Sequence, residues 1–368
     1  MNPTLSRFID ATRAVAALIV MVSHTTHAAI VGSGAEIAHP AALMILDSAS
    51  HQSVIVFFVL SGYLIGGRVI AFSQAGKPFL CRFLVDRTIR IYLVLVPALV
   101  LTAVLDALVF GHYAAGPVAR HFERHFNTLE AFAGNLASLQ NIFTPTFGSN
   151  AAMWTLGLEF WFYIVAGFLG AALTVAPLSR ARRVGLMAAG LAMPLATLFT
   201  PSYFLFGAII WAAGAFCAHL APTRLHRPAM AAGFAIACCL AAFFDLSNHP
   251  PDSVTPVADA FTAFGFANLL LALAAIRGDA PAFLRAPPFA YLSNISFSIY
   301  ATHMPIGMFL AAVFGFLPFL PLLAVLLPAT LVASIAFHHA TEAHTGALRA
   351  VAHRWLARVS GRSGLAGA

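Results

Sequence analysis

Apolar runs of roughly 16–25 residues, the length that lets a helix cross a bilayer, recur along this chain from residue 11 to residue 340. Ten can be placed, at 11–31, 53–72, 88–110, 151–176, 184–200, 202–220, 229–246, 257–276, 293–314 and 319–340. Only 9% of the 368 residues are charged against 60% hydrophobic, and the mean hydropathy is +0.87. A water-facing surface on a chain of this length needs more charge. In lipid, backbone N–H and C=O groups must be paired within the protein, which leaves helices or a closed barrel. The runs lack the apolar/polar alternation of barrel strands. The expected fold is therefore all-α, a polytopic integral membrane protein with about ten transmembrane helices. Pro194 is expected to bend the short span at 184–200.

Charge placement sets the expected orientation. With the N-terminus in the cytoplasm, eighteen of the 20 Lys and Arg residues fall on the cytoplasmic side, as the positive-inside rule demands. The exceptions are Arg120 and Arg124, in the 111–150 segment. An N-in/C-in topology follows, with residues 1–345 as the membrane domain and 346–368 as a short basic cytoplasmic tail. Anionic lipid of the inner leaflet accounts for the net charge of +7, so no nucleic-acid partner is implied. Asp10 and Arg13 interrupt the place where a signal-peptide core would begin, so the first span is expected to be retained. Scarce lysine with abundant alanine and arginine resembles coding from a GC-rich bacterial genome, and the inner membrane is the expected location. The cysteines, Cys81, Cys217, Cys238 and Cys239, show no metal or redox spacing, and no metal is expected. No GxSxG, P-loop, GxGxxG or HExxH motif occurs. The external segment 111–150, with His112, His121, His125, Glu123 and Arg124 among its polar residues, has room to act as a lid or acceptor platform.

Against this apolar background a few polar groups stand out. In DATRAVAALIVMVSH, Arg13 and His24 are eleven residues apart. On a helix that is three turns plus about 20°, so both side chains share a face, about 16 Å apart along the axis. Asp10 can pair with Arg13. Ionisable groups inside a membrane usually face a cavity or a partner, although a snorkelling Arg13 and a packed His24 also fit their positions. In MWTLGLEFWFY, Thr155, Glu159 and Tyr163 share a face, and an unpaired carboxylate there would be very costly. A structural pairing of Glu159 with an arginine or histidine on another helix is the alternative. In CRFLVDRTIRIY, Arg82, Arg87 and Arg90 enter the third span, where forked guanidinium groups suit phosphates. The positive-inside rule also explains them. In YLSNISFSIYATHMPI, Ser296, Ser298, Tyr300, Thr302 and His303 precede Pro305, which is expected to break the helix. SGYLIGG, residues 61–67, reads mainly as close helix packing.

Taken in order, these motifs resemble acyltransferase family 3, the polytopic bacterial membrane acyltransferases that modify sugars. IDATRAVAALIVMVSH is similar to that family's LDGLRxxAxxxVxxxH opening and keeps Asp10, Arg13 and His24. FFVLSGY resembles FFVLSGF, RTIRIYL resembles RxxRIYP, MWTLGLEFWFY resembles LWSLSVEEQFY, and ISFSIYATHMP resembles ISYSLYLWHxP. Glu342, near the end of the last span, also fits. Leu93 stands where the family has proline, and Phe160 and Trp161 replace the second Glu and the Gln of EEQ. No second carboxylate therefore follows Glu159 in this motif.

The resemblance implies acyl-CoA as donor, most often acetyl-CoA, and a hydroxyl of a cell-envelope or exported carbohydrate or glycolipid as acceptor. Arg13, Arg87 and Arg90, with Arg82 and Tyr92 of the same motif, would hold the CoA phosphates. His24 would be the general base, oriented or charge-balanced by Glu159 or Asp10. Ser298, Tyr300 and His303 complete the expected catalytic set, the first two as oxyanion donors. The residues leave open direct transfer against an acyl-histidine, the acyl group, the acceptor and the oligomeric state. A proton-coupled transporter or flippase is the rival reading, and a membrane scaffold a weaker one.

Overall fold

The computed structural model describes residues 2–36, 40–122, 127–200, 202–220, 228–247, 256–276 and 278–362. Glu123, Arg124, His125, Arg224, Arg227 and Arg277 lie outside the described residues. Within these limits the chain is all-helical, with no named strand. In order, the helices are α1 (Pro3–Ser33), α2 (Pro40–Ser61), α3 (Gly67–Gln74), α4 (Leu80–His112), α5 (Pro117–Phe122), α6 (Leu129–Leu136), α7 (Trp154–Ala172), α8 (Arg180–Thr197), α9 (Phe204–Cys217), α10 (Pro228–Ser247), α11 (Pro256–Ala274), α12 (Pro287–Phe314), α13 (Phe319–Ala340) and α14 (Thr345–Arg362).

Among the described residues, seven helices are long and apolar enough to cross a membrane: α1, α2 continuing into α3, α4, α7, α11, α12, and α13 with its continuation. The remaining expected spans coincide with α8, α9 and α10, which are helical. Of these, α9 is shorter than a full crossing and α8 opens on Arg180, Arg182 and Arg183. Several helices start earlier than the apolar pattern suggested. Hydropathy marks only the lipid-embedded stretch, whereas capping marks where the helix begins. At α1, the Asn2 side chain accepts from the Leu5 N–H at 2.7 Å and Pro3 occupies the first turn, a favourable start.

Pro305 does not end its helix, contrary to expectation: α12 runs through it to Phe314. Proline cannot donate to the carbonyl four residues back, which frees Ala301 O. The Asn150 side-chain amide donates to that oxygen at 2.8 Å. Helix continuity is thus supported by a residue far away in sequence.

Asn150 belongs to the segment after α6, which folds into the bundle rather than over it. The Trp161 indole donates to Ser138 O at 3.0 Å, the Ser138 hydroxyl donates to Tyr92 at 3.3 Å, and the Gln140 amide donates to Met153 O at 3.1 Å. Trp161 lies seven residues into α7, about 10 Å from its start. Irregular backbone at such depth is tolerated only when enclosed in protein. Ser138, Gln140, Ser149 and Asn150 are all 0% exposed. This part of the 111–150 segment is an inserted wedge, not a free lid.

As far as residue 362 the basic tail is helical, as α14. The His353 ring bonds Asp86 Oδ1 at 2.7 Å, and Arg349 donates to Asp86 O at 3.1 Å. These contacts fasten α14 to the first turns of α4.

Between Ser61 and Gly67 the second membrane helix passes through a π-helical turn, Gly62–Gly66. This turn packs against α9 so closely that a Cβ on Gly62 would stand 1.9 Å from Trp211 O, and one on Gly214 would stand 2.2 Å from Val59 O. The clash is with backbone on both sides, so no side-chain rotation relieves it. Gly62→Ala is expected to cost about 3 kcal/mol, the upper range for overpacking. A clear fall in the unfolding midpoint in detergent checks this, and an unchanged midpoint would contradict the packing.

Candidate functional site

Five helices, α1, α2, α4, α7 and α12, enclose a cavity of about 220 Å³. Arg13, Arg87, Arg90, Glu159, Ser296 and Tyr300 contribute its polar lining, with Ser61, Thr155 and Tyr163, and Phe57, Phe58 and Phe297 lie among its apolar walls. Each cation is placed by a distinct neighbour. Arg13 donates to Ser296 Oγ at 3.1 Å across the α1–α12 seam. Arg87 lies over the Tyr163 ring, 5.8 Å from its centroid, and its Nε is buried without an acceptor. Arg90 pairs with Glu342 Oε1 at 2.5 Å and lies 5.2 Å from the Phe297 ring centroid.

Glu342 is 3% exposed and joins three helices. Its Oε2 accepts from the Ser298 hydroxyl at 2.5 Å and the Ser298 N–H at 3.2 Å on α12, and bonds His338 Nδ1 at 3.1 Å on α13. Arg90 brings in α4. Ser298, expected as an oxyanion donor, therefore has its hydroxyl committed to Glu342 and does not line the cavity.

Glu159 accepts a short hydrogen bond from Tyr163, one turn along α7. The Tyr163 oxygen meets Ser61 Oγ at 3.0 Å, and the Trp211 indole donates to Ser61 at 3.0 Å. Because the phenolic proton goes to Glu159, Ser61 donates to Tyr163. The result is a directed chain from α9 through α2 to α7 that ends on the carboxylate. Charge-assisted bonds of this kind are among the stronger ones. Tyr163, Ser61 and Trp211 were not among the expected site residues. Tyr163 shares a face with Glu159, which was visible in the spacing. Trp211 carried no signal, because its role depends on how α9 docks.

The imidazoles of His24 on α1 and His303 on α12 form a separate pair. His24 Nδ1 lies 2.7 Å from His303 Nε2, the ring planes are within 8° of each other, and the centroids are 5.0 Å apart. That separation equals the N···N distance plus about two ring radii, so the rings meet edge to edge in one plane. The other nitrogen of His303, Nδ1, lies 3.0 Å from Ile299 O. His303 is 1% exposed. One turn beyond His24 on α1, His27 bonds Asp47 at 2.9 Å, and Ser23 donates to the same carboxylate at 2.8 Å.

The expected residues therefore fall into groups. Arg13, Arg87, Arg90, Glu159 and Tyr300 share the cavity. His24 and His303 share a hydrogen bond but do not line it. Tyr300 touches both: its ring centroid is 5.9 Å from that of His303, and its hydroxyl accepts from Thr155 at 2.7 Å and donates to Ala152 O at 2.7 Å. Phe57 packs edge-on against Tyr300 at 6.4 Å. The cavity that holds Arg13 therefore does not extend to His24; Phe57 and Tyr300 lie on its wall, and Tyr300 borders the histidine pair. Asp10 accepts from Ser293 at 3.3 Å and lies outside the cavity lining. Tyr92 packs on Phe160 and meets Ser138, while Arg82 is exposed. Neither lines the cavity.

A family model described as an acyltransferase domain matches residues 6–339, nearly the whole chain. A curated relative described as an O-acetyl transferase, from Shigella phage Sf6, is 32% identical over 164 residues, covering 44% of this chain and 45% of that protein. The chain thus spans less than half the length of the curated relative it matches. No solved structure matches the chain.

Removing one member of a buried ion pair strands the other, at a cost of about 3–5 kcal/mol. Arg90→Ala is expected to cost about 3 kcal/mol, at the low end because the arginine side chain is 27% exposed. Adding Glu342→Gln should restore most of that loss. Unfolding midpoints of the single and double variants check this, and equal destabilisation by both would contradict the pairing.

Proposed function

As the chain belongs to this acyltransferase family, matched over residues 6–339, we propose that it is a membrane-embedded O-acyltransferase. It moves an acyl group, acetyl in the first instance, from cytoplasmic acyl-CoA to a hydroxyl of a cell-envelope or exported carbohydrate. The observation that carries this reading is the ring of Arg13, Arg87 and Arg90 around one cavity, with the buried Arg87 Nε lacking an acceptor. A donor site for a phosphorylated molecule needs forked, multidentate cations. In the proposed setting the protein lies in the bacterial inner membrane, N-in and C-in, with α8, α9 and α10 completing ten crossings. The cavity then opens toward the compartment that holds CoA.

The chemistry follows from what a sugar hydroxyl lacks. It is a weak nucleophile near neutral pH and needs a base as it attacks. His24 takes the hydroxyl proton while the oxygen bonds to the thioester carbonyl carbon. The tetrahedral intermediate then expels the CoA sulfur, which takes the proton back from the His24 imidazolium and leaves as free thiol. Glu159, fixed by Tyr163, balances charge among the guanidinium groups. The Tyr300 and Phe57 rings must turn aside for the thioester to reach His24. Movable side chains commonly take such a gating role. Hydroxyl donation from Tyr300 becomes available to the oxyanion once it leaves Ala152 O.

Purified protein in lipid nanodiscs, given labelled acetyl-CoA, should release thiol when a glycan extract is added. His24→Ala is expected to lower transfer by at least about 100-fold, the usual loss for a general base, in a protein that still folds and inserts. Arg13→Ala should raise the donor KM by about 10-fold, the loss of one charged hydrogen bond. Flux of a solute along its gradient without thiol release would favour a transporter and overturn the proposal. Full transfer by His24→Ala would remove the base.

A further inference from the structure

Resting on the reading of His24 as base, we infer that His303 is the positioning residue that selects which nitrogen of His24 does the work. A neutral imidazole carries one N–H donor and one lone pair, and the proton's place is set by the bond the other nitrogen makes. His303 Nδ1 faces the Ile299 carbonyl at 3.0 Å. A carbonyl oxygen only accepts, so Nδ1 of His303 must carry the proton. In the neutral ring its Nε2 is then a bare lone pair. That lone pair faces His24 Nδ1 at 2.7 Å, so His24 Nδ1 carries a proton and donates. His24 Nε2 is left unprotonated, as a general base requires.

The opposite assignment fails on the same contacts. If His303 donated through Nε2 while neutral, its bare Nδ1 would meet the Ile299 carbonyl lone pairs at hydrogen-bond distance. With the ring 1% exposed, bulk water cannot relieve that repulsion. The edge-to-edge, coplanar meeting of the rings also directs the His24 N–H along the acceptor lone pair. After His24 has taken a proton on Nε2, the Nδ1–H to His303 is unchanged, so the pair needs no rearrangement during the reaction. His303 does here with a neutral acceptor what the aspartate does in a serine-protease triad, where the wrong tautomer costs about 10⁴ in kcat. It touches no reacting atom. The charged and titratable neighbours on the helices around it are few: on α1, His27 is engaged by Asp47 of α2, while α12 supplies the Tyr300 ring.

The anchor of this device is built into α12. His303 bonds to Ile299 one turn back on its own helix, and Asn150 supports that helix across Pro305 by capping Ala301 O. The acceptor nitrogen therefore has a fixed position relative to α1.

Imidazole ¹⁵N NMR on protein in nanodiscs, with the His24 signals assigned by comparison with His24→Gln, tests this directly. The expected wild-type spectrum has His24 protonated on Nδ1. In His303→Phe, which keeps a ring but has no acceptor, His24 should move to the Nε2–H form. The kcat for acetyl transfer should drop by about 10²-fold or more, with the donor KM unchanged. His303→Gln, whose amide oxygen can accept from His24, should recover at least about ten-fold over His303→Phe. An Nε2–H tautomer in the wild type, or wild-type kcat in His303→Phe, would overturn the inference. The spectrum needs no turnover, so a wrong tautomer sinks this inference alone, whereas transfer by His24→Ala sinks the reading on which it rests.

Discussion

Lipid offers no hydrogen bonds, so each polar side chain carried into this bundle must find its partner on protein. That requirement makes α12 the organising element. Along its length Ser293 meets Asp10, Ser296 meets Arg13, Ser298 meets Glu342, Tyr300 meets Thr155 and Ala152, and His303 meets His24. Thr302 adds Ser334 of α13 at 2.9 Å. Successive turns of one helix are thus tied to α1, α7, α13 and the turn beyond it. The same rule governs the cluster where α2, α9 and α11 meet, where Asp259 is 0% exposed and bonds His51, Gln52 and Tyr203. Packing supplies contact between these helices, while the polar pairs set their register.

Much of the architecture was legible because the bilayer imposes a length on every apolar run. All-helical structure and repeated membrane-length helices follow from that alone, and the structure bears both out among the described residues. Helical periodicity also sets the directions of Arg13 and His24 along α1. What each meets was not legible. His303 stands in a polar cluster of the sequence, but its bond to His24 joins residues 279 apart in the chain. Ser298 shows the opposite case. A hydroxyl beside an expected site looked available, and only the fold reveals that Glu342 holds it.

Pro305 and residues 137–150 of the external segment differ from expectation for a related reason. A proline weakens a helix only if the freed carbonyl stays unpaired, and Asn150 pairs it. A polar external segment suggests a loop in water only if its amides and hydroxyls have nothing better to bind. Here Tyr92, Trp161 and Met153 supply partners within the bundle. Local propensity is a fair guide where solvent is the competitor and a poor one where a distant side chain is. The Phe57–Tyr300 contact belongs to the same class, because the two rings come from α2 and α12.

The wedge formed by residues 137–150 also carries a consequence for biogenesis. Its partners come from α4, already synthesised, and from α7 and α12, which are not yet made when the wedge leaves the ribosome. Ala301, the residue Asn150 caps, arrives about 150 residues later. The wedge therefore cannot lock into place during its own translation. Its bonds to α4, from Ser138 to Tyr92, Ser149 to Asp106 and Asn150 to Thr102, have their partners from the start, whereas those to α7 and α12 can close only once these helices exist.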